Sequence, residues 1–142
     1  CNAGALFNDR RVNSENQEVT LMSHLVSGSY QLTKLLLPSL RQSSSTNGNE
    51  ARVVYVSSGG MYNSKFPEWD IAASTGKYES SYNGNLAYTY AKRGQILLAE
   101  RFTRDYPEIA FVSAHPGEYI YYGTGIAYLL FLFKPLSSFM LY

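Results

Sequence analysis

Between Val19 and about Arg41 the apolar positions Leu21, Leu25, Leu32, Leu36 and Leu40 draw one stripe at helical spacing, which predicts an amphipathic helix. Pro38 and the run Gln42 to Asn49, all polar or glycine, predict its end and a flexible surface loop. Arg52-Val53-Val54-Tyr55-Val56 is β-branched, short and without polar alternation, so it predicts a strand buried on both faces of a parallel sheet, closed by Ser57-Ser58-Gly59-Gly60. From Gly60 to Gly84 periodicity is lost, and Pro67, Gly76 and scattered Ser and Asn predict a long surface excursion with Trp69 as its anchor on the body. Helical spacing returns from Asn85 to Arg104, with Tyr88, Ala91, Gln95, Leu98 and Phe102 on one side, Lys92, Ile96 and Ala99 beside them, and Pro107 as the stop. Ile109 to Ala114 then reads as a second buried strand, ended by His115-Pro116-Gly117. Helix, strand, helix, strand in that order predicts an α/β fold with a parallel sheet and right-handed crossovers.

The stretch from Glu118 to Tyr142 differs in character. It holds the uncharged apolar run Ile126 to Phe133, far short of the roughly 20 residues that span a bilayer. That run reads as a buried helix or strand; a membrane-touching or partner-docking patch and a tail foreign to the fold are the alternatives.

Composition narrows the picture. With 142 residues the chain is at most one ordinary domain, and 45% hydrophobic with 16% charged residues is a globular balance. The net charge of +1 supplies no field to draw in nucleic acid or an anionic surface. Cys1 is the sole cysteine, so no intrachain disulfide forms, and with two histidines it makes no metal-ligand spacing; a reducing, cytoplasmic setting is compatible. Cys1-Asn2-Ala3-Gly4 is neither a charged n-region nor an apolar h-region, and the sequence reads as starting inside a larger protein.

The chemistry begins with Tyr-x-x-x-Lys. Among 13 Tyr this spacing arises by chance about once in two such chains, so its setting must decide. Tyr30 and Lys34 match it, but no serine turn precedes them, and they read as a helical surface pair. Tyr88 and Lys92 open a helix that follows a buried strand ending in Ser57-Ser58, and their spacing puts both side chains on one face. A tyrosine hydroxyl is a poor base at neutral pH, and an ammonium one helical turn away favours its phenolate, so the pair can move a proton.

Four features now stand in order: Asn2-Ala3-Gly4, Val56-Ser57-Ser58, Tyr88 with Lys92, and His115-Pro116-Gly117. In that order and spacing the chain resembles the short-chain dehydrogenase/reductase family of classical type, most like its member 12-like and retinol-dehydrogenase-like branches, from Cys1 to about Gly117. The resemblance implies a partial Rossmann-like doubly wound parallel sheet, its C-terminal part only, with residues 1–117 as a catalytic half and 118–142 as an atypical tail. It implies hydride transfer between NAD or NADP and a small alcohol or carbonyl substrate. Tyr88 would be the acid/base, Ser58 the hydrogen-bond partner of the substrate oxygen, and Lys92 the group that favours the phenolate and holds the nicotinamide ribose. Asn2, Ala3, Gly4, Ser57, Tyr88, Lys92, Pro116 and Gly117 would line the cofactor. The two amphipathic helices would offer a self-association face, giving a homo-oligomer, and Ile126 to Phe133 a possible membrane contact.

The sequence also departs from that pattern. Such families hold the dinucleotide pyrophosphate on a glycine-rich loop at a helix N-terminus, and neither Gly59-Gly60 nor Gly123-Thr124-Gly125 follows a strand in the way that loop requires. Tight cofactor binding or turnover by these 142 residues alone is therefore not expected. Where the family places an asparagine that holds a relay water, alignment on Gly28, Tyr30 and Thr33 sets Leu25, and a one-residue slip sets His24, which reads as a surface or packing residue. Thr124 is a loose match for the family's carboxamide-touching threonine. A catalytically silent scaffold or interaction fragment is the alternative to the oxidoreductase. A serine hydrolase built on Ser58 and His115 fails, because Val56 stands where a nucleophile elbow needs glycine.

Overall fold

The computed structural model describes residues 1–47, 51–115 and 131–133. A π-helical segment, Leu21–Gln31, runs without a break into helix α1, Leu32–Asn47. Strand β1 is Ala51–Val56, followed by a 3-10 turn at Gly59–Asn63, the short helix α2 at Trp69–Ala72 and a second 3-10 turn at Gly76–Ser81. Helix α3, Gly84–Asp105, then leads to strands β2, Ile109–His115, and β3, Phe131–Phe133.

Strands β1 and β2 pair in parallel, Ala51 opposite Ile109 through Val56 opposite Ala114, as a strand, helix, strand unit requires. On the other edge of β1 the Cys1 nitrogen donates to the Val54 carbonyl at 2.8 Å and the Val56 N–H donates to the Cys1 carbonyl at 3.0 Å. Those two bonds form one rung of a parallel ladder with Cys1 opposite Tyr55, so the start of the chain lies beside β1 in strand fashion. Together these elements form a partial Rossmann-like α/β fold. Strand β3 adds to β2 antiparallel, Ser113 opposite Phe133, so the end of the apolar run is backbone-paired as a strand. Pro116 and Gly117, the proposed boundary after Gly117, Thr124 and most of the stretch 118–142 lie outside the described residues.

The core sits between the sheet and the helices. Leu37 of α1, Tyr55 of β1, Ala99 and Phe102 of α3, and Ile109 and Phe111 of β2 form one buried cluster. A second joins Leu21 and Leu25 to Ala72, Ala73 and Ala91. The first cluster packs α1 and α3 on one face of the sheet. The expectation that β1 is buried on both faces is corrected: Arg52 and Val54, on the opposite face, are exposed, Val54 to 42%.

Three further expectations change. The first helix does not stop near Arg41 but continues to Asn47 through the serine run, whose hydroxyls find local partners: Ser45 Oγ donates to the Gln42 carbonyl and Ser44 Oγ accepts the Ala51 N–H. Its buried face is Leu21, Leu25, Ser29, Thr33 and Leu37: the first two leucines of the stripe are buried as expected, while Leu32 and Leu36 of the stripe, and Leu35 beside them, are exposed. Five-residue bonding in the π-helical segment widens each turn to more than four residues, so positions four apart stay on one side and the apolar pattern misleads. The polar members of that face are satisfied: Ser29 Oγ donates to the His24 carbonyl and accepts from Gln95 Nε2, and Thr33 Oγ1 shares a 2.8 Å bond with the Tyr55 hydroxyl, which burial pushes up to about 12. Trp69 is 51% exposed and anchors nothing; Met61, Ala72 and Ala73 are the buried hydrophobic residues of the excursion.

Candidate active site

Helix α3 begins where the Asn83 side chain accepts the Leu86 N–H, a cap that sets the register of every residue after it. One turn in, Tyr88 is half-buried; a turn later Lys92 is only 2% exposed. Its amine lies 5.5 Å from the centre of the Tyr88 ring and donates to the Val56 carbonyl at 2.6 Å, the last residue of β1. Burial holds the amine below its ordinary 10.5, since the sheet and the helices strip water from the charged form. One protein carbonyl accounts for one of the three N–H donors of an ammonium.

The serine turn is braced against the same helix. Ser57 is buried, and its hydroxyl donates to the Lys92 carbonyl at 2.9 Å with the Met61 sulfur at 3.2 Å; its side chain locks β1 to α3. Ser58 is half-buried and caps the 3-10 turn, its hydroxyl accepting the Gly60 N–H at 3.4 Å. A Cβ at Gly60 would meet Thr89 Oγ1 at 3.3 Å and Ser58 Oγ at 3.9 Å, so the Ser58 turn abuts the residue next to Tyr88.

The start of the chain completes the arrangement. Asn2, Ala3 and Gly4 are exposed and leave the Cys1 rung toward α3, where a Cβ at Gly4 would lie 3.5 Å from Lys92 Nζ and 3.5 Å from His24 Nδ1. A Cβ at Gly4 would make ordinary van der Waals contact with both groups, so the backbone here runs beside the amine and the imidazole. Thus Asn2-Ala3-Gly4, Ser57-Ser58, Tyr88 and Lys92, which stand far apart in sequence, converge at the C-terminal end of β1. Open α/β sheets place ligand sites at that end.

His24 is the residue that sequence reasoning undervalued. It is 6% exposed, its ring meets that of Tyr88 edge-on at 6.3 Å, and its Nε2 accepts the Ala5 N–H at 2.8 Å. Burial, then the charge of Lys92, holds it below its ordinary 6.5, against a weaker opposite pull from Glu18. Leu25, the ungapped match for the relay position, is instead core beside Ala91. Its close approach to Gly94, where a Cβ would strike the Leu25 side chain, is a packing signal invisible to a motif search. Tyr30 and Lys34 lie on the surface, as expected, each with another partner: Lys34 donates to the Tyr106 hydroxyl at 3.0 Å and Tyr30 stacks on Phe102. Among the described residues no helix is long and apolar enough to cross a membrane.

Comparison with curated proteins finds Dehydrogenase/reductase SDR family member 12 of Homo sapiens and of Bos taurus, each 33% identical over 116 residues that cover 82% of this chain and 33% of the relative. The chain spans about a third of the length of these relatives. No family model matches the sequence. No solved structure matches it either.

Proposed function

Because the chain belongs to the short-chain dehydrogenase/reductase family, we propose that it carries the proton-transfer half of an NAD(P)-dependent oxidoreductase acting on a small alcohol or carbonyl compound. The observation that carries this reading is the buried Lys92 amine, set beside the Tyr88 ring, bonded to the carbonyl that precedes Ser57-Ser58 and faced by Gly4. The geometry suits the nicotinamide end of a dinucleotide: Gly4 presents only backbone beside Lys92, and the ammonium retains donors for hydroxyl oxygens. Among the described residues it supplies no glycine-rich loop for the pyrophosphate. When bound, the cofactor supplies the hydride.

The residues of the chain do the rest. Tyr88 gives its hydroxyl proton to the carbonyl oxygen during reduction and takes it back during alcohol oxidation. Lys92, its amine 5.5 Å from the centre of the Tyr88 ring, holds ribose hydroxyls. Ser58 donates to the substrate oxygen, while Ser57 keeps β1 and α3 in register. Pro116 and Gly117 would cover the nicotinamide from beyond the described residues. The exposed leucines Leu32, Leu35 and Leu36 favour a second role for the first helix as a homo-oligomer face.

Fluorescence titration of NADH and NADPH into the 142-residue chain tests the division of labour. Without a phosphate loop, dissociation constants above about 100 μM are expected, since the pyrophosphate contributes much of dinucleotide affinity. Micromolar affinity would sink the reading, because the nicotinamide end alone could not supply it.

A further inference from the structure

The site holds a second buried nitrogen base that the chemistry above does not use. His24 lies on the π-helical segment, 6% exposed, between the Asn2 to Ala5 segment and α3. Because Nε2 accepts the Ala5 N–H at 2.8 Å, that nitrogen carries no proton, and the neutral ring bears its hydrogen on Nδ1. Nδ1 is buried and has no hydrogen-bond partner among the described residues. The same nitrogen and Lys92 Nζ each lie 3.5 Å from the point where a Gly4 Cβ would stand, so two donors face one place.

We propose that His24 is a pH-sensitive positioning residue of this site, whose neutral ring pins the Asn2 to Ala5 segment against Lys92 and whose protonation releases it. The inference rests on reading Lys92 as the ammonium of the site. A proton added from solvent goes to Nε2, the one ring nitrogen with a free pair, and turns the acceptor of the Ala5 N–H into a donor; two N–H groups then confront each other. The new cation also stands beside the Lys92 ammonium. Of the charged and titratable groups facing the ring, Lys92 opposes protonation, Glu18 favours it less strongly, and Tyr88 presents its ring edge-on from α3. No acid is placed to hold the imidazolium in the segment from Asn2 to Ala5. In the window below the ordinary 6.5 the folded chain binds fewer protons than the unfolded one, so stability falls as pH is lowered through that window.

The test is a nitrogen-15 NMR titration of the 142-residue chain, following both His24 ring nitrogens and the Ala5 amide. The expected result is the Nδ1–H tautomer at neutral pH, a midpoint below that of an exposed histidine, and an Ala5 amide that moves with the same midpoint. In Lys92→Met the midpoint should rise toward the ordinary value, and in His24→Gln, which cannot titrate, the Ala5 amide should hold steady across the window. An Nε2–H tautomer, or an Ala5 amide indifferent to His24 protonation, would overturn the proposal even if the Lys92 variant failed to fold, because both are read in the unmodified chain. None of these readouts needs cofactor or turnover, so a failed oxidoreductase reading leaves a result distinct from a failed His24 reading.

Discussion

Tyr88→Phe, made in a protein that carries this chain at the full length of its relatives, should lower carbonyl reduction about 10²–10⁴-fold, the usual contribution of one positioned proton donor. The substitution removes a single oxygen from a half-buried ring, keeps the edge-on contact with His24 and leaves Lys92 bonded to the Val56 carbonyl, so folding and cofactor affinity should change little. The loss should fall on kcat more than on KM, because the proton is exchanged in the transition state rather than on binding. Steady-state kinetics beside a thermal melt separates the two effects. Reduction at more than about a tenth of the parental rate would remove Tyr88 from the acid/base role.

The second large effect is structural. Gly84 opens α3, and a Cβ there would fall on the carbonyl oxygen of Phe7, with the Phe7 carbonyl carbon at 2.8 Å and Asn8 Cα at 3.3 Å. Helix propensity alone predicts that Gly84→Ala stabilises by up to about 1 kcal/mol. Sterics reverse the sign, because the obstacle is backbone and cannot rotate away, and overpacking of this kind costs about 1–3 kcal/mol or more. The Phe7 carbonyl also accepts from the Tyr82 hydroxyl at 3.3 Å, so a displaced Phe7 strains the turn before α3 and the path of the chain back to Gly4. Urea denaturation should place the Ala variant below the parent by at least about 1 kcal/mol; equal or greater stability would show that the segment yields freely.

What the sequence discloses depends on how local the cause is. Helix α3, both parallel strands and the Tyr88 and Lys92 pair are legible because periodicity, a β-branched run and an i, i+4 spacing act over a few residues. The π-helical segment escapes that reading. The buried polar residues of this segment and of the first turn of α1 are stable only because partners arrive from far along the chain, Gln95 to Ser29 and Tyr55 to Thr33, and no local pattern announces them. The carboxylate of Glu18 is likewise fully buried because it accepts the N–H groups of Thr20 and Leu21 at 2.8 and 2.7 Å and takes a 3.3 Å bond from the Tyr82 hydroxyl. Trp69 misleads for the converse reason: size argues for burial, but the short helix that carries it packs through Ala72 and Ala73.

Within the site the same division holds. The motif order brings Ser58, Tyr88 and Lys92 to notice, yet the distinct duties of Ser57 and Ser58 emerge only when the Ser57 hydroxyl is found on the Lys92 carbonyl. His24 could have been suspected from its four-residue spacing to Gly28, the motif glycine on the same helix, but its burial against Gly4 and Lys92 is a three-body fact that one sequence does not spell out.

If Gly4, Ser58, Tyr88 and Lys92 line one cofactor and substrate site, chemical-shift mapping will show them respond together. Oxidised nicotinamide dinucleotide is titrated into an isotope-labelled protein that carries this chain at the full length of its relatives. The Gly4 and Ser58 amides, the Tyr88 ring and the Lys92 ε-methylene should shift along one saturation curve. Saturable binding that leaves Gly4 and Lys92 unmoved would contradict it.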